Sequence, residues 1–240
     1  MDVESQSCLG SSNRKSKIKN SFMERRILDR ELDALRDRVL LLGGETERAL
    51  QRAIASLIER DSAMAQQVLD EDDQIDELEV EIDRLCVDTI ALRQPAARDL
   101  RFVISVAKIA PALERIADHA CNIARAAIDL NDEPELKSFA ELPRMAEQAS
   151  GMLHAALDAF TSGDAEAARN VIARDDEIDE IYDRLFHDLI EMMVTDPTIT
   201  ARGARLLFVA KHIERIADYV TDICELTVYM MEAAFIKHSN

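Results

Sequence analysis

Apolar residues recur along this chain at spacings of three and four, the period of an α-helix with one buried face. Val68, Ile75, Leu78, Ile82, Leu85 and Thr89 fall on one such stripe. Val171, Ile178, Ile181, Leu185 and Leu189 repeat it in the second half of the chain. A second pair of stripes follows the same rule. Leu113, Ile116, Ala120, Ile123 and Ala127 are matched by Ile213, Ile216, Val220, Ile223 and Thr227.

Start and stop signals divide each half into three helices. The first runs from about Met23 to Arg60. Asp61 is placed to cap the second, which reaches about Leu92. Pro95 suits the first turn of the third, which ends near Leu130. Asn131 to Pro134 is a break between halves. The fourth helix spans about Lys137 to Thr161, with Pro143 near its start or at a kink. Asp164 is placed to cap the fifth, which runs to about Val194. Asp196 and Pro197 open the sixth, which reaches about Ile236. Gly43-Gly44 falls inside the first helix, where each Gly costs about 1 kcal/mol relative to Ala. Either a local break or a close helix crossing would account for it. Long helices on short turns pack antiparallel. The expected architecture is all-α: two pseudo-symmetric three-helix bundles, six long antiparallel helices in total. Residues 1–22 read as a disordered tail, 23–131 as the first bundle and 132–240 as the second.

The halves are copies of one another. Leu113-Glu114-Arg115-Ile116-Ala117-Asp118 reappears as Ile213-Glu214-Arg215-Ile216-Ala217-Asp218, one hundred residues on. Asp72-Asp73-Gln74-Ile75-Asp76-Glu77-Leu78 reappears as Asp175-Asp176-Glu177-Ile178-Asp179-Glu180-Ile181, at an offset of 103. Small shifts in offset are what loop-length differences produce within a duplicated fold.

Composition narrows the chemistry. Hydrophobic residues make up 48% of the chain and aromatics only 4%, with no Trp, so the core is aliphatic. Six Gly and five Pro are too few for a loop-rich β-protein. A net charge of −18 argues against nucleic acid, which requires a basic face. Cys8, Cys86, Cys121 and Cys224 show no metal-finger or redox spacing and suit a reducing compartment. No apolar run is long enough to span a membrane, and no secretory signal is visible.

The candidate chemistry lies in the repeated acids. Glu114, Asp118 and Asn122 lie along one edge of a helix at i, i+4 and i+8, as do Glu214, Asp218 and Asp222. Asp72 with Asp76, and Asp175 with Asp179, add a second matched set. In an antiparallel bundle the two strips of one half can face each other. Like charges at i, i+4 destabilise a helix by about 0.2–0.5 kcal/mol, and a bound cation reverses that sign. Carboxylates from two helices suit Fe, Mn, Mg or Zn. A solvated face bridged by Arg115 and Arg215 is the plainer alternative. A carboxylate-bridged metal enzyme is a third, disfavoured by the lack of Glu-x-x-His pairs and of any catalytic or phosphate-loop motif. A metal-free helical scaffold is a fourth.

These residues resemble a known family. Asp99-Leu-Arg-Phe-Val, both Glu-Arg-Ile-Ala-Asp peptides with their flanks, the Asp-x-x-Ile-Asp stretches and Arg93-Gln94-Pro95 are similar to the PhoU family of phosphate-uptake regulators, over about residues 25–235. The resemblance implies two three-helix bundles related by pseudo-symmetry. It implies multinuclear iron or zinc clusters, with no organic cofactor, held by Glu114, Asp118, Glu214 and Asp218, with Asn122, Asp222, Asp76 and Asp179 as further ligands. It implies a non-enzymatic negative regulator of the phosphate-starvation response. Such a protein links a PstB-like ATPase of the phosphate ABC transporter to a PhoR-like sensor histidine kinase, keeping a PhoB-like response regulator unphosphorylated when phosphate is plentiful. It would be cytoplasmic, a homodimer in one expectation, recruited to the inner face of the plasma membrane through proteins. Two departures stand out: Ala117 and Ala217 replace the usual Gly, and Tyr219 replaces the usual His.

Overall fold

The computed structural model describes the backbone of residues 7–136, 141–234 and 236, and side chains over the same span from residue 23. Seven α-helices and one 3-10 turn lie among these residues, with no strand. The first bundle comprises α1 (Ser7–Ile58), α2 (Ser62–Arg93) and α3 (Arg98–Asn131). The second comprises α4 (Glu141–Ser162), α5 (Ala165–Ile172), α6 (Asp175–Thr195) and, after a 3-10 turn at Pro197–Ile199, α7 (Thr200–Glu232). None of the helices among the described residues is long and apolar enough to cross a membrane.

The expected caps form. Asp61 accepts hydrogen bonds from the backbone N–H groups of Ala63 and Met64 at 2.9 and 3.0 Å. Asp164 accepts from Glu166 and Ala167, both at 3.0 Å. Asp196 accepts from Thr198 N at 3.0 Å, with Pro197 at the first position of its turn. Each satisfies donors that a helix start leaves without an intrahelical partner.

Four boundaries differ from the sequence expectation. First, α1 begins at Ser7 rather than near Met23, so residues 7–22 continue the helix instead of forming a tail. That stretch contains no Pro to stop it. Second, Pro95 does not open α3. Gln94 ends α2 in the left-handed conformation, and a Pro directly after such a cap blocks further helix. The third helix then starts at Arg98. Third, the fifth expected helix is two, broken at Ala173 and Arg174. The break places Asp175, Asp176 and Glu177 in the first turn of α6, where the helix dipole favours carboxylates. Fourth, α7 ends at Glu232, with Ala233 left-handed, short of the expected Ile236.

The Gly43-Gly44 pair marks a crossing, not a break. A Cβ on Gly43 would lie 2.6 Å from Leu157 Cδ2 of α4, whereas one on Gly44 would meet nothing within 4 Å. Glycine at 43 therefore lets α1 approach α4 closely. Pro143 sits in the first turn of α4. Pro111 is a helix-interior proline that the periodicity did not mark.

Within each bundle the apolar stripes meet. Every residue of the two seams, Leu113 to Ala127 and Ile213 to Thr227, is buried. The halves join through α3 against α7 and α1 against α4, and one aliphatic core runs through both. The segment between halves is tied to each of them. Arg60 donates to the carbonyls of Leu130, Asn131 and Glu133, and Arg202 donates to Pro134 O at 2.7 Å.

Candidate functional site

The seam registers fix where the acids go. With Leu113 and Ile116 buried, Glu114 and Asp118 emerge at the edge of α3 facing α2. Asp76 and Glu79 come to the same place from α2. Burial first, then Asp118 and Asp76 among its neighbours, raises the proton affinity of Glu114, against the opposing pull of Arg115. Glu79 also acts on Glu114. Asp76 is raised by its own burial, then by Asp72, Asp118 and Asp73. Glu79 is raised by burial, then by Asp83 and Asp76. Carboxylates from two helices thus converge in the first half.

The second half repeats the arrangement with a difference. Asp179 of α6 is raised by burial, then by Asp218, Asp176 and Asp183, with Lys211 opposing. Glu214 is raised by burial, and its largest opposing influence is also Lys211. Lys211 Nζ lies 2.6 Å from Glu214 Oε2. That oxygen is buried and the contact lies off hydrogen-bond alignment, so the pair is an ion pair by distance rather than a well-formed hydrogen bond.

The arginines of the motif bridge as helical spacing allows. Arg115 Nη1 reaches Asp118 at 3.1 Å and its Nε stands 3.6 Å from Glu114. Arg215 Nη1 reaches Asp218 at 2.9 Å. The remaining candidate ligands are placed less centrally. Asn122 Oδ1 accepts from Arg125 Nη1 at 2.9 Å. Asp222 lines a groove of about 600 Å³ between α3 and α7, with Lys108, Arg115 and Tyr219. The charges acting on Asp179 and Glu214 come from other residues.

The donor set is rich in carboxylates. Its chemistry fits: all-oxygen ligands suit hard and borderline cations. Burial raises the proton affinity of Asp76, Glu79, Glu114, Asp179 and Glu214, which is the condition of carboxylates that a cation would relieve. As the side chains stand, no three His, Cys, Asp or Glu residues among those described gather round one point. A cation would have to draw them inward from their arginine and lysine partners.

Several residues of this region escaped the sequence reading. Glu79 and Lys211 belong to the acidic patches, and because the repeat pairs them with Tyr182 and Pro111, no matched spacing marks them. His119 and His212, which share no spacing, meet across the seam with their Nδ1 atoms 2.9 Å apart. Tyr219 packs on His119 with ring centroids 5.7 Å apart. Cys86, Cys121 and Cys224 are buried, their thiols pushed up to about 12 by burial, so they are inert packing residues.

The duplication has a counterpart among known proteins. The PhoU domain profile matches this chain twice, at residues 39–127 and 142–227. A relative from Pseudomonas putida, which bears the name phosphate-specific transport system accessory protein PhoU homolog, is 39% identical over 209 residues, covering 87% of this chain and 82% of that protein. One of the same name from Aquifex aeolicus is 37% identical, covering 89% of this chain and 96% of that protein. The crystal structure of PhoU from Pseudomonas aeruginosa superposes with a TM-score of 0.84 at 38% identity, over 86% of this chain and 99% of that one. That of the phosphate transport system regulatory protein PhoU from Streptococcus pneumoniae gives 0.82 at 30% identity, over 88% and 100%. Matched in both halves, and over most of its length by solved members, the chain belongs to the PhoU family.

Proposed function

We propose that this protein serves phosphate transport as a non-enzymatic accessory and negative regulator. It would be a cytoplasmic adaptor between the phosphate ABC transporter ATPase and a sensor histidine kinase. The observation that carries the reading is the doubled PhoU match, together with the shared name of relatives of which the chain covers 82% and 96%. An adaptor of this kind acts by binding one conformational state of a partner better than another, since only differential affinity moves a signalling equilibrium. Its net charge of −18 disfavours direct attachment to an anionic leaflet, so recruitment to the membrane runs through protein partners.

Non-enzymatic action is supported by the setting of the acids. The cavities of about 490 Å³, lined by Leu57, Arg60, Leu136 and Arg202, and about 510 Å³, lined by Asp188, Glu191 and Met192, lie apart from these acids, and of the candidate ligands Asp222 alone lines the groove of about 600 Å³. A catalytic metal requires an enclosed open coordination position for substrate. The acidic patches lie instead at the bundle edge, where cations would brace two helices together. On this reading Glu114, Asp118, Asp76, Glu214, Asp218 and Asp179 hold iron or zinc and contribute to shape rather than to chemistry.

The ion pairs of Arg115, Arg215 and Lys211 favour a second reading, a scaffold that works without metal. Deleting the gene and reading a phosphate-starvation reporter in phosphate-rich medium tests the regulator. Constitutive expression, returned to repression by the intact chain, is the expected result; an unchanged reporter refutes it. Complementation by Glu114→Ala with Asp118→Ala then separates the two readings, because the scaffold survives that change.

A further inference from the structure

The two acidic patches differ at several positions that the repeat places in correspondence, among them Val80 against Asp183 and Asn122 against Asp222, and two further differences meet in space. At the offset of 103 that aligns Asp76 with Asp179, Glu79 corresponds to Tyr182. At the offset of 100 that aligns Glu114 with Glu214, Pro111 corresponds to Lys211. At these two positions the second half has an aromatic ring in place of an acid and a base in place of a proline. The two replacements also touch each other: Lys211 Nζ stands 5.3 Å from the centroid of the Tyr182 ring. It is held there by a cation–π contact on one side and by Glu214 at 2.6 Å on the other.

We infer that Lys211 is the resident cation of the second acidic patch, so that the two halves are unequal and metal uptake falls to the first. The inference rests on the metal-binding reading above and narrows it to the first half, with Lys211 in place of a metal beside Asp179, Glu214 and Asp218. In the first half Glu114 and Asp118, beside Asp76 and Glu79, face an exposed guanidinium, that of Arg115, whose side chain is 58% exposed. In the second, Asp179, Glu214 and Asp218 face the Arg215 guanidinium and an ammonium fixed between two partners. Glu214 is the more enclosed member of the pair, with its side chain 13% exposed against 40% for Lys211. The Lys211 ammonium, seated against that enclosed carboxylate, supplies the counter-charge that a divalent ion would otherwise supply. To bind there, a metal has to expel Lys211 from both contacts; in the first half Pro111 offers no such competitor.

The test counts bound Mn2+ on the full chain, from the loss of the electron paramagnetic resonance signal of the unbound ion. Circular dichroism verifies that each variant remains helical. Wild type is expected to take up Mn2+ through the first half only. Uptake is lost on Glu114→Gln with Asp118→Asn and retained on Glu214→Gln with Asp218→Asn. Lys211→Gln should raise saturating uptake roughly twofold, since both carboxylate sets are then open to a hard cation. Lys211→Arg, which keeps the charge, should leave it unchanged. Pro111→Lys should close the first half as Lys211 closes the second. Wild-type uptake that depends on Glu214 and Asp218, uptake that appears only in Lys211→Gln, or no rise in that variant overturns the inference. Of these, wild-type uptake leaves the metal reading intact. No uptake by either wild type or Lys211→Gln overturns the metal reading, and the inference with it.

Discussion

His119 and His212 meet Nδ1 to Nδ1 at 2.9 Å across the contact between α3 and α7, ninety-three residues apart in sequence. One ring must donate and the other accept, so the pair holds together only while at least one imidazole is neutral. Burial keeps them so. It pushes His119 down to about 4, with His212 the next cause, and it lowers His212 as well.

That depression sets a sign for acid stability. An unfolded His takes a proton near 6.5, so between there and about 4 the unfolded chain binds more protons than the folded one. The contribution of His119 is full above that window and is lost as pH falls through it. The raised carboxylates Asp76, Glu114, Asp179 and Glu214 act the opposite way, since protonation removes first the cost of burying their charge and then their mutual repulsion. The difference in Tm between wild type and His119→Ala isolates the imidazole. It should narrow from about pH 7 to about pH 4.5. A difference that stays flat across that range contradicts the account.

Glu114 bears a cost in the metal-free protein. Its carboxylate is raised first by burial and then by Asp118, so the ionised form is disfavoured on folding. Glu114→Gln should therefore raise Tm at neutral pH in the presence of a chelator, and should abolish any stabilisation that added metal brings. A fall in Tm under chelator would mean that Arg115 outweighs the repulsion.

The two adjacent glycines of α1 should respond differently to the same change. Gly44→Ala gains up to about 1 kcal/mol of helix propensity with nothing in its way. Gly43→Ala must displace the Leu157 methyls and should forfeit that gain, and Gly43→Leu should cost about 1–3 kcal/mol through overpacking. Urea titration of the three variants ranks them. Equal gains at 43 and 44 would remove the close crossing from the account.

Asp61 and Asp164 perform one task in the two copies, so Asp61→Ala and Asp164→Ala should each lose about 1 kcal/mol. Thermal melts of the single variants check the size, and Asn at either position should restore most of it.

The sequence made the bundles legible because a buried seam and a capping carboxylate are local: their spacing and chemistry are written in neighbouring residues. Ile116 and Ile216 fall where the period puts them, and Asp61, Asp164 and Asp196 cap as expected. The opposition of Asp76 to Asp118 followed from antiparallel packing. What eluded the sequence depends on through-space neighbours or on competing local signals. Pro95 satisfies the rule for opening a helix as well as the rule for closing one, and Gln94 in the left-handed region decides for closing. The interruption at Ala173 and Arg174 has no Gly or Pro to announce it. The place of Lys211 is set by Tyr182 and Glu214 on either side of it, one of them twenty-nine residues away.

The joint between the halves has a further meaning. Contact runs from α3 to α7 and from α1 to α4, and in each case the partners are the same helix of the two copies. Like meets like, as in a two-fold dimer whose subunits present one surface to each other. Folding this chain is therefore equivalent to assembling a dimer whose members share a tether. Such a tether frees each member to drift from its twin, because a change at the contact no longer happens twice. His212 could arise opposite His119 while its counterpart in the first copy is Ala112, a mismatch that a strictly symmetric pair has no means to encode.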